Sequence, residues 1–173
     1  SADSKTHVSS MNGGDFYDLI HLREGNIGFF LTDVSGHGIA SAMFSAAVKV
    51  ILASTPYRFR LSPEALLTHL DETMNREYPS HHASAVYLFF DFQAHVIRLA
   101  NGGHPEILYA PAGGKFRPIA TEGSILGYNL RQPIAQELTL PMHKGDRFLV
   151  YSDGLTEYRT HDNDIIDLPP VAQ

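Results

Sequence analysis

Three aspartates in this chain sit where they could act together on one chemistry. Asp33 lies in Asp33-Val34-Ser35-Gly36-His37-Gly38, between an apolar run at 27–31 and an almost wholly apolar segment at 39–52. The run has the length and composition of a strand. The following segment, rich in Ala with Met, Phe and Ile, is long enough for a helix. An aspartate therefore closes a buried strand, and a Gly-rich turn leads from it into a helix. A carboxylate is costly to bury without a cation or hydrogen-bond donors. The nearest basic groups in sequence are Arg23, His37 and Lys49, none of them adjacent. A metal ion is the partner to suspect. Asp153 repeats the arrangement, because Phe148-Leu149-Val150-Tyr151 runs into Ser152-Asp153-Gly154. Asp15 follows Gly13-Gly14 and opens a segment of aromatic and branched residues. Oxygen-only donors suit hard cations such as Mg²⁺ or Mn²⁺. A pair of such ions about 3.5–4 Å apart can bind a phosphoryl group and activate water against it. One such aspartate taken singly reads as a helix cap or a turn residue. Three of them, each at a strand end beside Gly, favour a metal site.

The elements that must position these acids follow from the same pattern. Residues 16–22 favour a strand, Arg23-Glu24-Gly25-Asn26 a turn, and 27–34 the returning strand of an antiparallel hairpin. Asp15 opens the first strand and Asp33 closes the second, so the hairpin brings both to one end, close enough to share a cation. Helix one is expected over 39–53. It is apolar on nearly every face, which predicts burial against a sheet with Met43 and Ile51 in the core. Helix two starts at Ser62-Pro63-Glu64, an N-cap followed by Pro and an acid in the first turn. Leu66, Leu67, Leu70 and Met74 form its core stripe, and His69, Asp71, Glu72 and Arg76 are expected on a solvated face. Further strands are expected at 8–11, 85–92, 96–100, 107–109 and 147–151, with weaker alternation at 137–140. Gly-punctuated loops fall at 101–105 and 122–127. Residues 1–173 read as one domain of α+β class, with two packed, mainly antiparallel sheets flanked by helices.

Composition narrows the function classes. A net charge of -6 with no Lys/Arg-rich block argues against nucleic-acid binding. No apolar stretch reaches membrane-spanning length, and no signal-peptide pattern opens the chain. The absence of cysteine excludes disulfides and thiolate metal sites and fits the cytoplasm. His37 and His104 each sit in a Gly-rich loop without the spacing of a zinc set, so each is expected to order its own loop by hydrogen bonds. His81-His82 reads as an exposed pair. No Gly-x-Ser-x-Gly elbow supports a serine hydrolase. Gly13-Gly14-Asp15-Phe16 lacks the second acid of the cyclase GGDEF signature.

Five segments, in order, resemble the SpoIIE/RsbU-type bacterial serine/threonine phosphatases of the metal-dependent PPM (type 2C) superfamily. They are Gly13-Gly14-Asp15-Phe16-Tyr17-Asp18, Asp33-Val34-Ser35-Gly36-His37-Gly38, Ala100-Asn101-Gly102-Gly103-His104-Pro105, residues 123–127, and Tyr151-Ser152-Asp153-Gly154-Leu155-Thr156-Glu157. The resemblance implies an α-β-β-α sandwich and a site for two divalent ions, Mn²⁺ or Mg²⁺. It implies that Asp15 holds one ion, Asp33 bridges both, the Val34 carbonyl assists the first, and Asp153 holds the second. Metal-activated water would attack phosphoserine or phosphothreonine on a regulatory protein, an anti-sigma-factor antagonist of STAS type. An N-terminal receiver or sensor domain usually precedes such domains. The family pattern continues past Glu157 to a last strand bearing an acidic ligand. That strand is absent from these 173 residues, where Asp162, Asp164 and Asp167 are the acids that follow. A complete site predicts an enzyme. An incomplete second ion site predicts the alternative, a degenerate phosphatase fold that docks a regulatory partner.

Overall fold

The computed structural model describes residues 15–36, 38–130 and 132–152. The segment expected as a strand at 8–11 lies outside them, as do Gly13, Gly14, His37, Asp153, Gly154 and the later acids Asp162, Asp164 and Asp167. Eight strands and two α-helices make up the described chain: β1 (Asp15–His21), β2 (Ile27–Val34), α1 (Ile39–Ser54), α2 (Pro63–Glu77), β3 (Ala83–Asp91), β4 (Val96–Gly102), β5 (Leu108–Ala110), β6 (Arg117–Pro118), β7 (Leu138–Pro141) and β8 (Arg147–Leu149).

The strands form two antiparallel sheets, one in the order β1-β2-β3-β4-β7 and one in the order β6-β5-β8. Alternation along each strand of the larger sheet sorts its side chains into two cores. Phe30, Val34, Ala85, Tyr87, Phe89 and Ala100 face the helices, where they meet Phe44, Val48, Leu66, Leu70 and Met74. Leu31, Val86, Leu88, Ile97 and Leu99 face the smaller sheet, together with Tyr17, and Phe148 and Val150 pack against them from the other side. The two-sheet α+β architecture is therefore as expected from the sequence. Both α-helices lie on the larger sheet, and the second helical layer has no counterpart among the described residues.

The start of α2 is as its sequence dictates. Ser62 Oγ accepts from the Ala65 N–H at 3.3 Å, with Pro63 opening the helix. The Ser62 hydroxyl also donates to Glu137 at 2.7 Å, and the Glu137 N–H donates to Glu64 at 3.3 Å, which clips the helix start to the segment entering β7. Leu66, Leu67, Leu70 and Met74 are all buried.

Two expectations for the helices are corrected. Met43 is not core: it is 69% exposed, and Ile39 and Val50 are exposed with it. The buried stripe of the helix is Ser41, Phe44, Val48, Ile51 and Leu52. A helix lying on one sheet buries one side, and small Ala residues at 40, 42, 46 and 53 leave the other side apolar but open. Asp71 is not on a solvated face. It is fully buried and accepts from the Gly127 N–H at 2.8 Å and Gln132 Nε2 at 2.7 Å, so it ties α2 to the 123–132 loop. Glu72 and Arg76 are exposed as expected.

Asp91 closes the β3–β4 hairpin. It accepts from the backbone N–H of Ala94 and Gln93 and pairs with Arg98 at 3.1 Å. The Ala94 N–H, chiefly, and then Arg98 hold its carboxyl below the usual value of 3.8. A depressed folded pKa contributes stability above the ordinary carboxylate value and loses it as pH falls through the folded one. Asp91→Asn should therefore destabilise the protein at pH 7 and cost progressively less below about pH 4. Urea unfolding of both proteins across that range measures the difference. In the same assay Leu70→Ala should cost about 2–5 kcal/mol and Met43→Ala less than about 0.5 kcal/mol.

Candidate metal centre

The antiparallel register of β1 and β2 sets Asp15 directly opposite Asp33, and the register of β2 and β3 sets Asp33 opposite Ser84. Side-chain alternation puts all three on the face that meets the smaller sheet, in line with Tyr17, Leu31 and Val86. Directly paired residues hold their Cβ atoms about 4.5–5.5 Å apart. Two carboxylates thus share one end of the inter-sheet core, half-buried. Like charges set opposite each other across strands destabilise the pair. A hard cation between them reverses that sign, and four carboxylate oxygens are the donors such a cation prefers. These residues fit a divalent oxygen-liganded ion.

The far side of the cluster comes from the smaller sheet. After β8 the chain runs to Tyr151 and Ser152, and the Ser152 hydroxyl donates to Asp15 Oδ2 at 2.6 Å. His104 is buried between the layers. Its Nδ1 lies 2.9 Å from Ser84 Oγ and its Nε2 lies 2.9 Å from the Tyr151 carbonyl oxygen. The contacts close a ring: Asp15 to Asp33 to Ser84 by strand register, then His104, then Tyr151 and Ser152, then Asp15 again. Among the described residues the acids gathered here are two, and no group of three His, Cys, Asp or Glu side chains forms. Asp153 lies outside the described residues.

A glycine stands at the head of the helix that follows Asp33. The residue at the head of α1 is Gly38, with φ 78° and ψ -154°, and no side chain caps the helix there. Ser35 turns away, both its N–H and its hydroxyl donating to the His82 carbonyl at 3.2 and 2.9 Å. The hairpin geometry inferred from spacing is present in the register. The sequence did not single out Ser84 or the link from Ser152 to Asp15. Ser152 lay in a recognised motif, whereas Ser84 carries no local signal, since its place depends on the pairing of β2 with β3.

The family model for stage II sporulation protein E (SpoIIE) matches residues 23–173. The phosphoserine phosphatase RsbP of Bacillus subtilis (strain 168) is 28% identical over 160 residues, which are 90% of this chain and 39% of RsbP. The chain thus spans well under half the length of this curated relative. Among solved structures, the RsbU and RsbW domains of Rv1364c from Mycobacterium tuberculosis superpose with a TM-score of 0.74 at 22% identity, over 96% of this chain and 44% of that one. RsbX, solved in complex with magnesium, gives a TM-score of 0.64 at 18% identity, over 84% of this chain and 68% of that one. The chain belongs to the SpoIIE family, and its fold is that of these phosphatase domains.

Gly38 offers a direct test of the local geometry. Its backbone lies in a region open essentially to Gly alone, and a Cβ there meets nothing within 4 Å. Gly38→Ala should therefore cost about 1–3 kcal/mol from backbone strain alone. Chemical unfolding measures it, and a cost near zero would mean the turn leaves Asp33 by another path.

Proposed function

We propose that this SpoIIE-family chain is the catalytic domain of a metal-dependent phosphoprotein phosphatase acting on phosphoserine or phosphothreonine. The observation that carries the proposal is the directly opposed pair Asp15 and Asp33 at the end of the inter-sheet core, with Ser152 bonded to Asp15. Asp15 and Asp33 would hold two Mn²⁺ or Mg²⁺ ions, Asp33 between them, with the Val34 carbonyl and Asp153 as further ligands. Bound there, such ions supply Lewis-acid activation of water and of the phosphoryl oxygens. The chain's own residues do the positioning. The register of β1 and β2 fixes the separation of the two carboxylates. The Ser152 hydroxyl donates to Asp15 Oδ2 and so restrains the orientation of that carboxylate. The reaction is ester hydrolysis: a water oxygen bonds to phosphorus, and the serine or threonine oxygen leaves and takes up a proton.

The substrate we infer is a phosphorylated regulatory protein, an anti-sigma-factor antagonist of STAS type. The phosphoserine phosphatase name of RsbP and the likeness to an RsbU domain joined to RsbW support that class. The net charge of -6 is consistent with a protein rather than a nucleic-acid partner. Among the described residues no helix is long and apolar enough to cross a membrane.

The 173-residue chain should hydrolyse p-nitrophenyl phosphate or a phosphoserine peptide only with Mn²⁺ or Mg²⁺ present. Asp33→Asn should reduce activity to background and weaken Mn²⁺ binding by about 10-fold or more, since a bridging carboxylate acts on two ions. Asp15→Asn should weaken one ion more than the other. Isothermal titration reads the binding directly. Unchanged Mn²⁺ binding in Asp33→Asn would sink the assignment, and no metal-dependent turnover in the wild type would favour a docking module.

A further inference from the structure

The loop Asn101-Gly102-Gly103-His104-Pro105 carries more construction than a connection needs. The Asn101 side chain is buried and knots the loop: its Nδ2 donates to the His104 carbonyl at 3.0 Å and to the Pro105 carbonyl at 3.3 Å, and its Oδ1 accepts from the His104 N–H at 2.8 Å. Gly103 has φ 72°, and a Cβ there would lie 2.7 Å from the Ile125 backbone nitrogen. Both features aim one side chain. His104 is 7% exposed and spans the gap between the sheets, from Ser84 on β3 to the Tyr151 carbonyl beyond β8. A carbonyl oxygen can only accept, so Nε2 carries the proton. In the neutral ring Nδ1 then accepts from the Ser84 hydroxyl. The two ends differ in what they reach. Ser84 is the cross-strand partner of Asp33. Tyr151 precedes Ser152, whose hydroxyl grips Asp15. Hydrogen bonds that orient a ligand from behind govern metal affinity nearly as strongly as the ligand itself.

We propose that His104 is a positioning residue of the metal centre, which sets the Tyr151–Ser152 strand end against β3 and thereby orients the Asp15 carboxylate through Ser152. His104 touches neither carboxylate through these bonds. It fixes the distance between the two sheets at the one end where both contribute to the site. The proposal rests on Asp15 and Asp33 holding the ions, and its tests separate the two ideas.

The first test needs no metal. Nitrogen-15 spectra of the metal-free 173-residue chain should show one histidine with a protonated, slowly exchanging Nε2 and an unprotonated Nδ1, and His104→Gln should remove that signal. If the His104 Nε2 proton exchanges freely with water, the circuit does not exist and the proposal is overturned. The second test is Mn²⁺ titration of variants whose folding is checked by urea unfolding. His104→Asn loses the reach to Tyr151 and should bind Mn²⁺ at least about 10-fold more weakly, as expected for residues behind a ligand. His104→Gln can still donate to the Tyr151 carbonyl and should recover most of the loss. Ser152→Ala should reproduce the loss, and the double variant with His104→Asn should lose no more than either alone, because both act along one path. Additive losses would mean that His104 does not act through Ser152. A folded His104→Asn with wild-type affinity would overturn the proposal while leaving the metal centre standing. Should His104→Asn fail to fold, the spectra and Ser152→Ala decide. A wild-type chain that binds no Mn²⁺ would overturn both ideas.

Discussion

Two negative charges facing each other across a pair of strands are the constraint from which the rest of this structure follows. The β1–β2 hairpin holds Asp15 and Asp33 at matching positions, with the inter-sheet core running away from them on one side. Strand register is set by which face each side chain must take. Phe16, Phe30 and Val34 pack toward the helices, and Tyr17, Phe29 and Leu31 pack toward the second sheet. A slip by one residue would turn Asp33 under α1 and expose the core residues beside it. The apolar side chains therefore hold the carboxylates in opposition.

The second sheet serves that pair. It is small, and its strand β8 is short, yet it delivers the Tyr151–Ser152 segment to the open end of the sandwich. The Phe148 ring packs against Phe90 and Tyr109 at centroid distances of 6.0 and 5.1 Å, which anchors β8 on the inter-sheet core. His104 then fixes the strand end at the level of Ser84. The candidate site thus lies at one end of the core between two layers built from distant parts of the chain. On the helix side, the buried Asp71 holds the 123–132 loop to α2, so the segments flanking the site are tied to the same scaffold.

The features legible in the sequence were those fixed by short-range pattern. Turn residues at 23–26 between an aromatic and branched segment and an apolar run indicated the hairpin, and with it the meeting of Asp15 and Asp33. Ser62, Pro63 and Glu64 announced α2, and its Leu and Met stripe is core. What could not be read locally depended on distant partners. Met43 and Ile51 look alike in an Ala-rich helix, and only the direction of the sheet decides that one is exposed and the other buried. Asp71 looks like a surface acid among His69, Glu72 and Arg76 until Gly127 and Gln132 arrive from 56 and 61 residues away. Ser84 has no pattern of its own and is placed by strand pairing. His104 was expected to order its own loop. It is the Asn101 side chain that does so, while the imidazole reaches across to the other sheet.

The central claim is that the opposed carboxylates of Asp15 and Asp33 are a cation site. Crystals of the chain grown with Mn²⁺, measured at the manganese absorption edge, test it most directly. An anomalous peak should lie within bonding reach of a carboxylate oxygen from both Asp15 and Asp33, on the inter-sheet side of the β1–β2 hairpin. Full Mn²⁺ occupancy at other residues, with no anomalous signal between these two, would contradict it.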